Sequence, residues 1–238
     1  MKEKMLITGG CSFSVSTWPW YLENALPAYR LVSTAMGSQG NGLISRKIIY
    51  QVSKLLASRR SEDLLVGIMW SGPDRHDYYI HNTNTAPIVY KEDNWMQNPT
   101  RFIPDTEGAW TIISPGWRMP SAANYYVNFH DSIGQYIYTL EHILRTQWFL
   151  QSMGVKYFMT TYTGEVLPEI VKTHNDTKHL YELVDTSVFL PVLGEYEWCR
   201  DYSDLEFPNP EDNHPSREQH RAFADQVILP FLKERNLI

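Results

Sequence analysis

The feature that most constrains the fold is a rhythm. Short apolar runs closed by turns alternate with stretches whose apolar residues recur at helical spacing. Met5 to Thr8 is one such run, closed by Gly9-Gly10, and reads as a buried strand entering a tight turn. Tyr29 to Met36 makes a second strand, ended by the loop Gly37-Ser38-Gln39-Gly40-Asn41-Gly42. From Ser45 to Ser58 a helix is expected, because Ile48, Ile49, Val52, Leu55 and Leu56 share one face and Arg59-Arg60 sit where cations suit a helix C-terminus. Leu64 to Trp70 is the next strand, Gly134 to Ser152 a helix stopped by Gly154, and Val155 to Thr161 a strand. Ser187 to Leu193 is a weaker strand. Ser216 to Lys233 forms the last helix, opened by the capping-box pattern Ser216-x-x-Gln219 and kinked by Pro230. Strands alternating with helices specify a mostly parallel sheet covered on both faces. With 238 residues and 43% apolar content, one sizeable core and a single domain spanning residues 1–238 are expected.

Between residues 72 and 133 the periodicity dissolves into Pro, Asn, Asp, Gly and aromatics. A loop of that length is uncommon in a compact domain and reads as an insertion or lid. It carries Tyr78, Tyr79, Tyr90, Trp95, Phe102, Trp110, Trp117, Tyr125, Tyr126 and Phe129, beside amides such as Asn82, Asn84, Asn94 and Asn128. Flat rings and amides suit a platform for sugars or a protein-assembly interface; equally, the rings can simply pack the loop onto the domain.

The charge of -6 offers no general attraction to phosphate backbones, so nucleic acid is not an expected partner. The first residues lack a signal-peptide core and no run approaches a membrane span, which places synthesis in a cytoplasm with no membrane partner. Cys11 and Cys199 are too few for a disulfide framework, and the histidines show no metal-ligand spacing, so neither metal nor cofactor is expected.

In a doubly wound sheet, ligands bind beyond the carboxyl ends of the strands. Ser12, in Gly10-Cys11-Ser12-Phe13-Ser14, falls just past the first strand, where its hydroxyl can project into that crevice. A serine nucleophile needs a base, and His214 in Glu211-Asp212-Asn213-His214-Pro215-Ser216 is the candidate, with Asp212 or Glu211 to orient its ring. Other roles exist for each: Ser12 as a capping residue, His214 as a turn residue, and Cys11 as a nucleophile in place of Ser12.

Taken together, Gly-x-Ser-x-Ser after the first strand, Gly-x-x-Gly-Asn after the second, and Asp-x-His-Pro before the last helix resemble the SGNH (GDSL-like) hydrolase superfamily. The resemblance implies a flavodoxin-like three-layer α/β/α fold and a catalytic triad of Ser12, His214 and Asp212. It also implies an oxyanion site made by the backbone N–H groups of Ser12 and Gly40, with Asn41 shaping the loop. Three departures stand out. Cys11 replaces the usual Asp. The third block reads Trp70-Ser71-Gly72-Pro73-Asp74-Arg75, with Asp74 where an oxyanion-binding Asn is usual, so either Asp74 is protonated, another donor such as Ser71 or Arg75 substitutes, or activity is impaired. Finally, Asp212 stands two residues before His214 rather than three, which is where Glu211 stands. The resemblance extends to divergent SGNH-like proteins, including some encoded by bacteriophages. The expected function is hydrolysis of a small acyl ester or an acylated glycan; the alternative is an SGNH-fold binding or virion protein without efficient catalysis.

Overall fold

A computed structural model describes residues 3–80, 109–114, 120–208 and 213–238. Four parallel strands form the central sheet: β1 (Lys4–Gly9), β2 (Tyr29–Ser33), β3 (Leu64–Trp70) and β6 (Lys156–Thr161), in the order β2-β1-β3-β6. Between β3 and β6 in sequence, β4 (His76–Ile80) and β5 (Ala109–Ile113) pair antiparallel as a separate two-stranded sheet.

The alternation of side chains along the strands divides the core in two. Met5, Ile7, Val66, Ile68 and Met159 face α2 (Asn41–Leu56) and α4 (Ser132–Ser152), which follows α3 (Pro120–Asn128). Leu6, Leu65, Met69 and Phe158 face the opposite layer, built from α1 (Trp18–Ala25) and C-terminal helices. These follow two single-turn helices, α5 (Ile170–Thr173) and α6 (Lys178–Tyr181), and comprise α7 (Glu195–Tyr202), α8 (Arg217–Phe223) and α9 (Leu229–Glu234). The result is a three-layer α/β/α arrangement. Gly67 sits at its tightest point, where an added Cβ would come within 2.6 Å of Phe158 Cζ and 3.2 Å of Trp18 Cη2.

Element boundaries moved for local physical reasons. The expected second strand stops at Ser33, although Thr34 and Met36 still donate to Thr8 O and Gly10 O at 2.7 and 3.1 Å, so the chain keeps following β1. The helix expected from Ser45 starts at Asn41, because a carboxylate from another segment caps it. α4 begins at Ser132, its first amides held by Asp131 at 2.9 and 2.7 Å, and Gly154 closes it at φ +63°, which glycine adopts without a Cβ penalty. The strand expected over Ser187 to Leu193 is reduced to one bridge, Met159 with Phe189, after a 3-10 turn. Pro230 lacks the N–H that a regular helix needs, and a π-turn over Ala224–Ile228 precedes it. The capping box at Ser216 and Gln219 is present.

Candidate active site

The loops that follow β1, β3 and β6 all emerge at one edge of the sheet. β1 and β3 are neighbours there, and the chain turns to opposite sides of β1 to form β2 and β3, which opens a crevice at that edge. Ser12 opens a 3-10 turn (Ser12–Ser14) in this crevice, closed by Ser14 N to Cys11 O at 3.0 Å. Gly10 precedes it because a Cβ there would collide with the Ser14 side chain. Cys11 points into the core and is fully buried, whereas Ser12 is partly exposed, which disfavours the cysteine as the nucleophile.

Ser12 Oγ lies 2.7 Å from His214 Nε2 across 202 positions of sequence. His214 is delivered there by Pro215 and by the capping box that starts α8, where Ser216 N donates to Gln219 Oε1 at 2.8 Å and Gln219 N to Ser216 Oγ at 3.1 Å. Gln219 also donates to Leu205 O at 2.9 Å, tying the helix start to the preceding loop. The Phe13 ring supports the imidazole at a centroid distance of 4.9 Å. Glu211 and Asp212 lie outside the described residues, as do Tyr90, Trp95, Phe102 and Trp117 of the aromatic segment.

The third block reaches the same neighbourhood through its aromatic contacts. Phe13 meets Tyr162 edge-on at 5.3 Å, and the Arg75 guanidinium stands 5.4 Å from the Tyr162 centroid while donating to Ser71 Oγ at 2.7 Å. The Asp74 carbonyl accepts from Tyr126 Oη at 2.5 Å, and its carboxylate lies beside Gly72.

Two expected roles change. The Gly40 amide was to help bind an oxyanion, but it donates to Asp77 Oδ1 at 3.0 Å, and Leu43 N donates to Asp77 Oδ2 at 3.0 Å. Asp77 therefore caps α2 from outside the helix, where the exposed amides and the dipole favour an anion. Burial pushes its carboxyl up to about 6, against the opposing pull of these two amides, Lys47 and Arg75. Asn41 does not shape an open donor loop. Its Nδ2 donates to Ser71 O and Thr139 Oγ1 at 3.0 and 3.2 Å, and its Oδ1 accepts from Ser71 N at 2.8 Å, so it clamps α2 to the end of β3.

The buried contacts of four polar residues, Lys47, Gln39, His220 and Glu195, escaped the reading of the sequence. Lys47 is buried and donates to Thr34 O and Gln39 Oε1, both at 3.1 Å; Gln39 Nε2 in turn donates to Gly10 O, two residues before Ser12. Burial lowers the Lys47 amine to about 8, partly opposed by Asp77. The available signal was a lysine on the apolar stripe formed by Ile44 and Ile48. His220, one of the histidines expected at the surface or in loop packing, is buried, with Nδ1 2.7 Å from Glu195 Oε1 and its ring edge-on to Phe13 at 6.2 Å. Desolvation raises the Glu195 carboxyl above its ordinary range.

No protein-family model matches the sequence, and no curated protein matches it. A solved structure, "Crystal Structure of TesA", superposes with a TM-score of 0.52 over 97% of this chain and 99% of that one, at 11% identity. The likeness shows the fold, a three-layer α/β/α arrangement. Among the described residues no helix is long and apolar enough to cross a membrane.

Proposed function

We propose that the protein is a serine hydrolase that cleaves an acyl ester. The observation that carries this reading is the 2.7 Å separation of Ser12 Oγ and His214 Nε2 at the carboxyl edge of the sheet. In the proposed reaction His214 Nε2 takes the Ser12 proton as Oγ bonds to the ester carbonyl carbon. The tetrahedral intermediate collapses with that proton passing to the leaving alkoxide, and water repeats the sequence to release the acid. Asp212 orients the imidazole, with Glu211 as the other available carboxylate. Because Gly40 is engaged by Asp77, negative charge on the carbonyl oxygen falls to the Ser12 amide, with Arg75 as the neighbouring cation. The alcohol is a sugar hydroxyl in this reading, and the aromatic segment supplies the platform.

p-Nitrophenyl acetate turnover by purified protein tests the proposal. Ser12→Ala and His214→Gln are each expected to lower kcat/KM by at least about 10³-fold. Turnover unchanged in Ser12→Ala would refute it. Asp212→Asn compared with Glu211→Gln assigns the third member.

One observation favours a second reading. The Gly40 amide and the Asn41 carboxamide both have intramolecular partners, which suits a binding or virion protein that keeps the fold with little catalysis. Absence of turnover by the wild type, with ligand binding retained, would select it.

A further inference from the structure

Arg75 also lines a cavity of about 1280 Å³, walled by α2, α4, α3 and the paired strands β4 and β5. Its size exceeds that of a usual small-molecule pocket, about 300 to 1,000 Å³. Its chemistry is one-sided. Arg46 and Arg145 both line it, and no carboxylate of the described residues comes within ion-pair distance of either. Asp77 is the only carboxylate among the described lining residues, and both of its oxygens already accept from the α2 backbone. Among the described residues Arg145 donates only to Ser45 Oγ, through Nε and Nη2 at 3.1 and 2.9 Å. Its guanidinium is pushed below its ordinary range first by desolvation and then by the charge of Arg46, partly opposed by Glu141 one turn away on α4. Two like charges so placed create a local demand for an anion.

The remaining wall is mainly aromatic, with Ile49 and Ile113 as its aliphatic members among the described residues. Trp110 carries the Arg46 guanidinium 5.2 Å from its ring centroid, and Tyr78 packs edge-on against Tyr125 at 6.1 Å. Tyr125 Oη lies 2.9 Å from His76 Nε2, so polar tips alternate with ring faces along the wall. An acyl chain would call for aliphatic lining. Flat faces from three separate elements, interleaved with hydroxyl and imidazole groups, suit a chain of rings carrying hydroxyls.

From this we propose that the cavity binds an acidic saccharide of at least two rings, with a carboxylate paired to Arg46 and Arg145 and the sugar rings against Trp110 and Tyr78. That this saccharide is the alcohol portion of the ester rests on the assignment of Ser12 as nucleophile; its binding does not.

Calorimetric titration with digalacturonate, and with galactobiose as the neutral counterpart, tests the proposal. Digalacturonate is expected to bind at least about tenfold more tightly, the gain weakening as salt screens the guanidinium pair. Arg46→Gln removes an exposed guanidinium that stacks on Trp110, and should lower digalacturonate affinity about tenfold, a larger loss than for galactobiose. Trp110→Ala should weaken both sugars. Equal affinity for the two sugars, no binding of either, or a preference for ADP over digalacturonate would overturn the proposal. Ser12→Ala separates it from the hydrolase reading. If that variant still binds digalacturonate and the wild type turns over no ester, the saccharide site stands and the nucleophile falls. If Ser12-dependent ester turnover is found without digalacturonate binding, the reverse holds.

Discussion

Replacing Asn41 with Ala tests how the candidate site is held together. Asn41 is almost fully buried and satisfies both the N–H and the C=O of Ser71, itself fully buried, at 2.8 and 3.0 Å. Truncation leaves two backbone groups and Thr139 Oγ1 without these partners, in a space with no side chain to fill it. An unsatisfied buried group costs about 1–3 kcal/mol, so the variant should lose about 3–5 kcal/mol. In urea, with a slope of about 3 kcal/mol/M, the midpoint should fall by about 1 to 1.7 M at unchanged slope. Asn41→Asp refines the test. Its carboxylate can still accept from Ser71 N but presents an oxygen to Ser71 O, so the loss should be larger at neutral pH than under acid conditions that protonate it. A loss for Asn41→Ala below about 1 kcal/mol would refute the clamp. Full stability with lost ester turnover would instead place Asn41 at the reacting atoms.

Two further outcomes follow from packing and from charge. Gly67→Ala should cost about 1–3 kcal/mol by forcing its Cβ against Phe158, and Phe158→Leu in that background should recover part of the loss in the same urea titration. The pH dependence contains two opposing contributions. Asp77, raised to about 6 by burial, keeps its proton in the folded protein between about pH 4 and 6 when the unfolded chain has released it, so its contribution to stability falls as pH rises through that window. His142, lowered to about 4 by burial and then by Arg145 and His76, stays neutral where the unfolded chain is protonated, so its contribution rises from about pH 4 to 6.5. Each amounts to roughly 1–2 kcal/mol after allowance for partial exposure. Asp77→Asn should therefore gain stability relative to wild type as pH rises from 4 to 6, and His142→Gln should lose it. Unfolding midpoints that keep a constant offset from wild type across this range would refute both assignments.

The layered fold was legible in the sequence because burial on both faces of a parallel sheet leaves strands as apolar runs, and one-sided burial leaves helices with a 3.6-residue stripe. Leu64–Trp70 needed no revision, and the capping box at Ser216 is written into adjacent residues. Ser12 and His214 could be nominated because each follows or precedes a recognisable element, although their 2.7 Å approach depends on the whole fold. What the sequence left open was decided by contacts across the carboxyl edge of the sheet. The Gly40 amide goes to Asp77, 37 positions away, Asn41 to Ser71, 30 positions away, and the buried His220 to Glu195. Periodicity specifies which face of an element is covered. It carries no information about which donor meets which acceptor once separate loops converge, and that pairing decides whether Ser12 has the charge stabilisation a nucleophile requires.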